Sequence, residues 1–183
     1  MAATRFAPGE TRPWAAPTRG FSMLSAEELK EIEHELAHYE QPSAATIEAL
    51  KIVQKHRGWV SDDAVKDIAA KLKTSAADVD SVATFYNLIF RKPVGRHVIF
   101  VCDSVSCYIL DGGMGEASLR AKLEKRLGIK YGQTTADGRF TLLPIVCLGT
   151  CDRAPAMLID KDTHRNLENI SEASLDELLA GYA

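Results

Sequence analysis

The hydrophobic rhythm of the chain changes near its midpoint. From Ser25 to about Arg91 apolar residues recur at helical spacing, whereas from His97 onward they come in short runs between turn residues. Ser25-Ala-Glu-Glu28 opens the first helical segment as a capping box, in which serine accepts from a backbone N–H and Glu28 reaches back to the serine's own. That helix extends to about Tyr39, with Leu29, Ile32, Leu36 and Tyr39 on one face. Pro42 and Ser43 open a second, carrying Ile47, Leu50, Ile52 and Val53 to about Arg57, and Gly58 stands where a left-handed terminator belongs. Trp59 and Val60 form a short link. Ser61 caps a third helix with Val65, Ile68 and Leu72, and Thr74 or Ser75 a fourth with Val79, Val82, Phe85 and Tyr86. The pattern predicts a helical bundle whose aromatic end, Val82-Ala83-Thr84-Phe85-Tyr86-Asn87, belongs to its core.

In the second half, His97-Val-Ile-Phe-Val101 reads as a strand buried on both faces. Gly112-Gly113-Met114-Gly115 precedes a helix with Leu119, Leu123 and Leu127, closed by Gly128. Gln133 to Leu143 reads as a hairpin turning at Asp137-Gly138, Ala156-Met-Leu-Ile159 as a further strand, and Ser171 as the cap of a last helix with Leu175, Leu178 and Leu179. The order strand, helix, strand, strand, helix is that of a small α/β domain of thioredoxin type. The expected fold class is therefore α+β: residues 1–24 a flexible tail, residues 25–91 a helical bundle, and residues 92–183 a thioredoxin-like domain.

Composition narrows the function. At 183 residues, with 46% hydrophobic and 26% charged residues, the chain has enough apolar material for a core without crosslinks. The 22 Lys and Arg are interspersed with 25 acids, so no basic footprint for nucleic acid exists. No apolar run approaches the roughly 20 residues of a membrane span, and no secretory signal opens the chain, so the thiols are expected to stay reduced. Arg5, Arg12 and Arg19 against Glu10 give the first residues some likeness to a mitochondrial presequence, but Pro8, Pro13 and Pro17 forbid the amphipathic helix it needs.

All four cysteines fall in the second half, as Cys102-x4-Cys107 and Cys147-x3-Cys151, each pair following a strand. Carboxyl ends of strands are where open α/β sheets carry their ligand loops, so one metal site closed by two loops is expected. Thiolates suit zinc and iron-sulfur clusters alike. Spacing leaves a 2Fe-2S cluster, structural zinc and redox thiols all open, although C-x4-C opens one ferredoxin signature and the C-x-x-C of dithiol enzymes is absent. Small neighbours at Ser104, Ser106, Gly149 and Thr150 let backbone N–H groups approach the sulfurs, and Leu148 supplies an apolar wall.

Two other motifs compete. His34-Glu35-Leu36-Ala37-His38 matches the H-E-x-x-H of zinc peptidases, but both histidines lie opposite the apolar stripe, and Gln41 and Ala44 occupy positions the metzincin extension gives to glycine and histidine. Gly113-x-Gly115-x-x-Ser118 nearly matches a dinucleotide fingerprint, but lacks the third glycine and an immediately preceding strand. The expected readings are a solvated helix face and a loose helix start, so this chain is not expected to hold NAD or flavin.

Cys102-x4-Cys107 with Cys147-Leu-Gly-Thr-Cys151-Asp-Arg-Ala-Pro155 closely resembles the thioredoxin-like 2Fe-2S subunits of respiratory complex I, the NADH-quinone oxidoreductase of bacteria. The resemblance extends through Tyr39 to Trp59, Val82-Ala-Thr-Phe-Tyr86 and Thr134 to Leu143, nearly the whole chain from Ser25. It implies that Cys102, Cys107, Cys147 and Cys151 ligate one 2Fe-2S cluster and that the helical half is a docking element. It also implies a partner, the flavin-bearing NADH-oxidising subunit in the peripheral arm, which binds FMN and NADH and passes single electrons to this cluster. The implied place is the cytoplasmic side of the bacterial inner membrane, with the mitochondrial matrix the lesser expectation. The chain would be catalytic only within its complex. The equivalent subunit of an NAD-linked hydrogenase or formate dehydrogenase shares the cysteine pattern, and a zinc-stabilised interaction module is the alternative of a different class.

Overall fold

The structure is a computed structural model that describes residues 24–113 and 115–182. The proline-rich segment expected to be a flexible tail lies outside the described residues, apart from Leu24. The described chain divides into two compact units, residues 24–93 and 94–182.

The first unit is helical: α1 (Ala26–Leu36), α2 (Thr46–Arg57), α3 (Asp62–Leu72) and α4 (Ala76–Phe85), with a 3-10 turn at Pro42–Ala45 leading into α2. Serine side chains at Ser25, Ser61 and Ser75 cap α1, α3 and α4 by accepting from backbone N–H groups three residues on. The capping box forms: Glu28 N donates to Ser25 Oγ at 3.1 Å, and Ser25 N to Glu28 Oε2 at 2.7 Å. Helix α1 stops at Leu36, short of the expected Tyr39, and α2 ends on Gly58 at φ 80°, a conformation a side chain resists. Ile32, Leu50, Ile68, Leu72 and Val79 are buried, each Leu or Ile contributing about 1.5–3 kcal/mol by its burial.

The aromatic end of α4 does not belong to that core. Val79 and Ala83, four apart, set the buried face, which turns Phe85 outward, and Tyr86 leaves the helix with extended backbone. Phe85 is 78% exposed, and Tyr86 and Leu88 are also exposed. The segment is held by its backbone instead: the Gln54 amide donates to Leu88 O at 2.8 Å and accepts from Phe90 N at 2.6 Å. Arg91 adds bonds to Asp80 and Asp62 and to the Val60 carbonyl.

One charge pair lies inside this unit. Glu28 is only 1% exposed, yet Arg57 grips both its oxygens, Nε to Oε1 and Nη2 to Oε2 at 2.6 Å each. Burial pushes the Glu28 carboxyl up, but the Arg57 bonds, the Ser25 N–H and the charges of Arg57 and His56 together outweigh it and hold the carboxyl below its ordinary range.

The second unit is a five-stranded sheet in the order β2-β3-β1-β4-β5, with β1 (His97–Cys102), β2 (Gln133–Thr134), β3 (Phe140–Ile145), β4 (Met157–Ile159) and β5 (Asp162–His164). Helices α5 (Val105–Leu110), α6 (Leu119–Leu127) and α7 (Glu172–Ala180) complete it. β1 and β3 are parallel, His97 opposite Phe140 and Cys102 opposite Ile145, while the other pairings are antiparallel. A parallel pair needs a long crossover, supplied by α5 and α6. The strand β1 is central and buried along Val98–Val101, as its unbroken apolar run predicts. Its core includes Ile99, Leu119, Leu123, Leu142, Met157, Ile159 and Leu175. The sequence pattern missed α5 and β5. No helix among the described residues is long and apolar enough to cross a membrane.

Removing one partner of the Glu28–Arg57 pair strands a charge in the core. Arg57→Met should cost about 3 kcal/mol, near the low end for buried pairs because Arg57 is partly exposed, as read by urea unfolding of the full chain. Because the folded Glu28 value is depressed, its stabilisation is complete above the ordinary 4.5 and fades as pH falls through the folded value. Glu28→Gln should flatten stability against pH in that acid window; an unchanged slope would assign the acid sensitivity elsewhere.

Candidate metal centre

Both cysteine pairs reach the same end of the sheet because of the parallel register. Strand β1 ends on Cys102, and β3 ends opposite it at Ile145, so Val146 and Cys147 leave the sheet beside Cys102. The junction is tied by Asp103 N donating to Ile145 O and Cys102 N to Ala156 O, both 3.1 Å. Cys102 Sγ lies 3.8 Å from Val146 O.

Cys107 comes from α5, a short helix rather than the expected loop. Its far end is fixed by Asp111, whose N–H donates to Cys107 O at 2.9 Å and whose carboxylate oxygens each accept from Leu119 N at 2.8 Å. Asp111 thus joins the cysteine helix to the start of α6. Burial raises its carboxyl, with the Leu119 N–H and the Lys122 charge opposing.

The second pair is built by a tight loop. Gly149 adopts φ 71°, which a side chain would strain, and its N–H points at Cys147 Sγ at 3.3 Å. Cys151 opens a single 3-10 turn, Cys151–Arg153. Cys147 Sγ and Cys151 Sγ are 3.9 Å apart. Two thiolates on one tetrahedral ion with bonds of about 2.3 Å stand about 3.8 Å apart, so this pair already has the spacing of one metal's two ligands.

The four sulfurs do not converge on one point. Among the described residues, the only three His, Cys, Asp or Glu side chains with donor atoms all within 4.8 Å of one another are His34, Glu35 and His38. No three cysteines therefore meet that limit. A single zinc ion would draw all six sulfur pairs to about 3.8 Å, a spacing that no three of these cysteines share.

Cys102 and Cys107 are buried with Ala154 and Ala156, against half-buried Ile145 and Leu148, whereas Cys147 and Cys151 are exposed. Burial pushes the Cys107 thiol up to about 12, the neighbouring Cys102 adding to the rise and the Ala156 backbone opposing it. Thiolates there need a cation's charge beside them, which is what a bound metal supplies.

The two competing motifs resolve differently. The glycine segment follows helix α5, not a strand, and the Asp111 carboxylate occupies the α6 N–H that an anion would use, so no phosphate cradle forms. His34 and His38 are exposed at the end of α1, as the helical pattern predicts, each with its Nδ1 3.8 Å from a Glu35 oxygen. Sequence reading missed Asp111, whose only signal was an acid before a capped helix. It also missed the exposed apolar side chains around the cysteines: Val105 (71%), Ile109 (68%) and Val146 (66%).

Comparison with known proteins places these features. Residues 32–183 match the thioredoxin-like 2Fe-2S ferredoxin family. The E subunit of the NADH-quinone oxidoreductase of Escherichia coli is 58% identical over 159 residues, 87% of this chain and 92% of that protein. Its counterpart in the NADH-quinone oxidoreductase of Pseudomonas aeruginosa is 57% identical over 155 residues, 85% of this chain and 91% of that protein. Among solved structures, an NAD+-reducing NiFe-hydrogenase in its hydrogen-reduced state superposes with a TM-score of 0.57 at 25% identity. That match covers 75% of this chain but only 22% of the hydrogenase chain.

The exposure difference predicts an order of reactivity in metal-free chain. Iodoacetamide at mildly alkaline pH should label Cys147 and Cys151 first, with Cys102 and Cys107 modified only on unfolding, as mapped by peptide mass spectrometry. Equal labelling of all four would contradict the burial of the first pair.

Proposed function

The chain belongs to the thioredoxin-like 2Fe-2S ferredoxin family, and on that premise we propose that it is the electron-transfer subunit of an NADH-quinone oxidoreductase, respiratory complex I. Cys102, Cys107, Cys147 and Cys151 would together hold one 2Fe-2S cluster. The observation that carries this is the arrangement of the sulfurs, with Cys147 and Cys151 at 3.9 Å and no three cysteines within 4.8 Å of one another. A 2Fe-2S cluster bound there takes up and gives back one electron at a time.

The chain's own residues set the conditions for that transfer. Cys102, Cys107, Leu148 and Ala156 form the dry side, and the Gly149 N–H donates to Cys147, favouring the extra negative charge of the reduced state. A one-electron group cannot accept a hydride, so NADH chemistry belongs to FMN on a partner, the NADH-oxidising subunit. The exposed cysteines face outward beside Val146, and Val105 and Ile109 share one face of the helix that carries Cys107. This apolar collar excludes water where the flavin-bearing partner docks, and Phe85, Tyr86 and Leu88 give the helical unit a docking surface of its own. The subunit sits peripherally, on the cytoplasmic face of the inner membrane.

The hydrogenase likeness supports a second reading, the equivalent module of an NAD-linked hydrogenase or formate dehydrogenase. It is the weaker, resting on 25% identity to a fraction of a longer chain, against 58% over nearly the whole length of the Escherichia coli oxidoreductase protein.

Anaerobically purified chain should contain about two irons and two labile sulfides, and give a reduced-state EPR signal. Stoichiometric zinc without visible absorption would sink the cluster assignment. Cys147→Ser should weaken or abolish the signal. Ile109→Asp should leave the spectrum intact but reduce co-purification with the flavin-bearing subunit; unchanged assembly would remove α5 from the interface.

A further inference from the structure

Among the described residues, the one group of metal-capable side chains that the proposed function leaves unused lies in the helical unit, at the end of α1. His34 and Glu35 stand in the last turn of α1, and His38 follows in a turn closed by its N–H donating to Glu35 O at 3.0 Å. All three donor atoms fall within 4.8 Å of one another. Glu35 divides its carboxylate between the rings: Oε1 is 3.8 Å from His34 Nδ1, and Oε2 is 3.8 Å from His38 Nδ1. The rings meet edge to face with centroids 5.1 Å apart.

These separations are too long for hydrogen bonds. They are close to the roughly 3.4 Å between two ligands of a tetrahedral ion with bonds of about 2.0–2.1 Å. Small rotations of exposed side chains cover the difference. Two imidazoles and a carboxylate form a donor set for borderline transition metals of the zinc class, not for magnesium or calcium, which take oxygen ligands throughout. The place also favours positive charge, because the last carbonyls of a helix carry the negative end of its dipole. The neighbouring acids are already engaged: Glu31 with Lys55 and His56 at 2.9 Å each, and Glu33 with Lys71 at 2.5 Å. Glu35 is the acid whose oxygens stand beside both histidines.

We propose that His34, Glu35 and His38 form a surface site for a divalent transition metal of the zinc class, separate from the cysteine centre and held by three protein ligands with water completing the shell. The site binds metal without peptidase chemistry. In a peptidase the glutamate of H-E-x-x-H acts as a base, whereas here each of its oxygens lies 3.8 Å from a ring Nδ1, within reach of the same ion.

The test uses the full chain with its iron and sulfide in place, dialysed against micromolar zinc. A single zinc ion per chain should be taken up with the visible absorption of the chain unchanged. His34→Ala and His38→Ala should each weaken uptake by about tenfold or more, no less than losing a group that merely supports a ligand. Glu35→Gln should weaken it less. All three positions are at the surface, so folding is preserved, and circular dichroism checks it. Equal zinc uptake by the His34→Ala/His38→Ala double variant would overturn the proposal. So would zinc uptake that occurs only as iron is lost, since that zinc would be at the cysteines. Iron and EPR measurements on the same histidine variants report on the cysteine centre independently, so the two assignments stand or fall separately.

Discussion

The parallel pairing of β1 with β3 is the constraint on which the site depends. A parallel pair aligns carboxyl ends, so the residue after each strand emerges at the same edge. With Cys102 opposite Ile145, the second cysteine pair must begin beside the first, although α5, α6 and a hairpin intervene. Antiparallel pairing would have put the two pairs at opposite ends of the sheet. β1 presents Ile99 and Val101 to the core that holds Leu142, Met157 and Ile159, and a slip by one residue would turn Val98 and Phe100 there instead.

Around that edge the chain divides its work between an inner and an outer side. Cys102 and Cys107 lie among apolar groups, and burial raises the Cys107 thiol, so a metal bound there would be linked to the ionisation of Cys107. Cys147 and Cys151 sit on a loop shaped by Gly149 and face outward. An electron centre needs both sides, since burial and N–H donors set its potential and exposure lets a partner come near. Asp111 holds the arrangement from behind by fastening α5 to α6.

Much of this was legible because local signals and tertiary packing agree. Ser25, Ser61 and Ser171 cap the helices they were expected to cap, Gly58 and Gly128 end theirs in left-handed conformation, and the His97–Val101 run forms the central strand. Helix α5 was hidden because six residues with Val, Ile and Leu interleaved by Ser, Cys and Tyr have no distinguishable period. The aromatic end of α4 was misplaced for another reason. Hydrophobicity does not state which face a residue takes when the helix ends beside it, and Val79 and Ala83 had already claimed the core. The buried Glu28 was half visible, its capping role plain and its grip by Arg57 from another helix invisible.

Capping, periodicity and residue chemistry act over a few neighbouring positions, and they sufficed for the helical and sheet halves and for the grouping of the four cysteines in pairs. The sequence also carried the family, since the cysteine pattern and its flanks are specific. That the pairs share one edge of the sheet, that no three sulfurs crowd together, and which cysteines face outward emerge only in the folded chain. Those properties follow from strand register and burial, which depend on residues far apart in the chain and leave no mark on spacing.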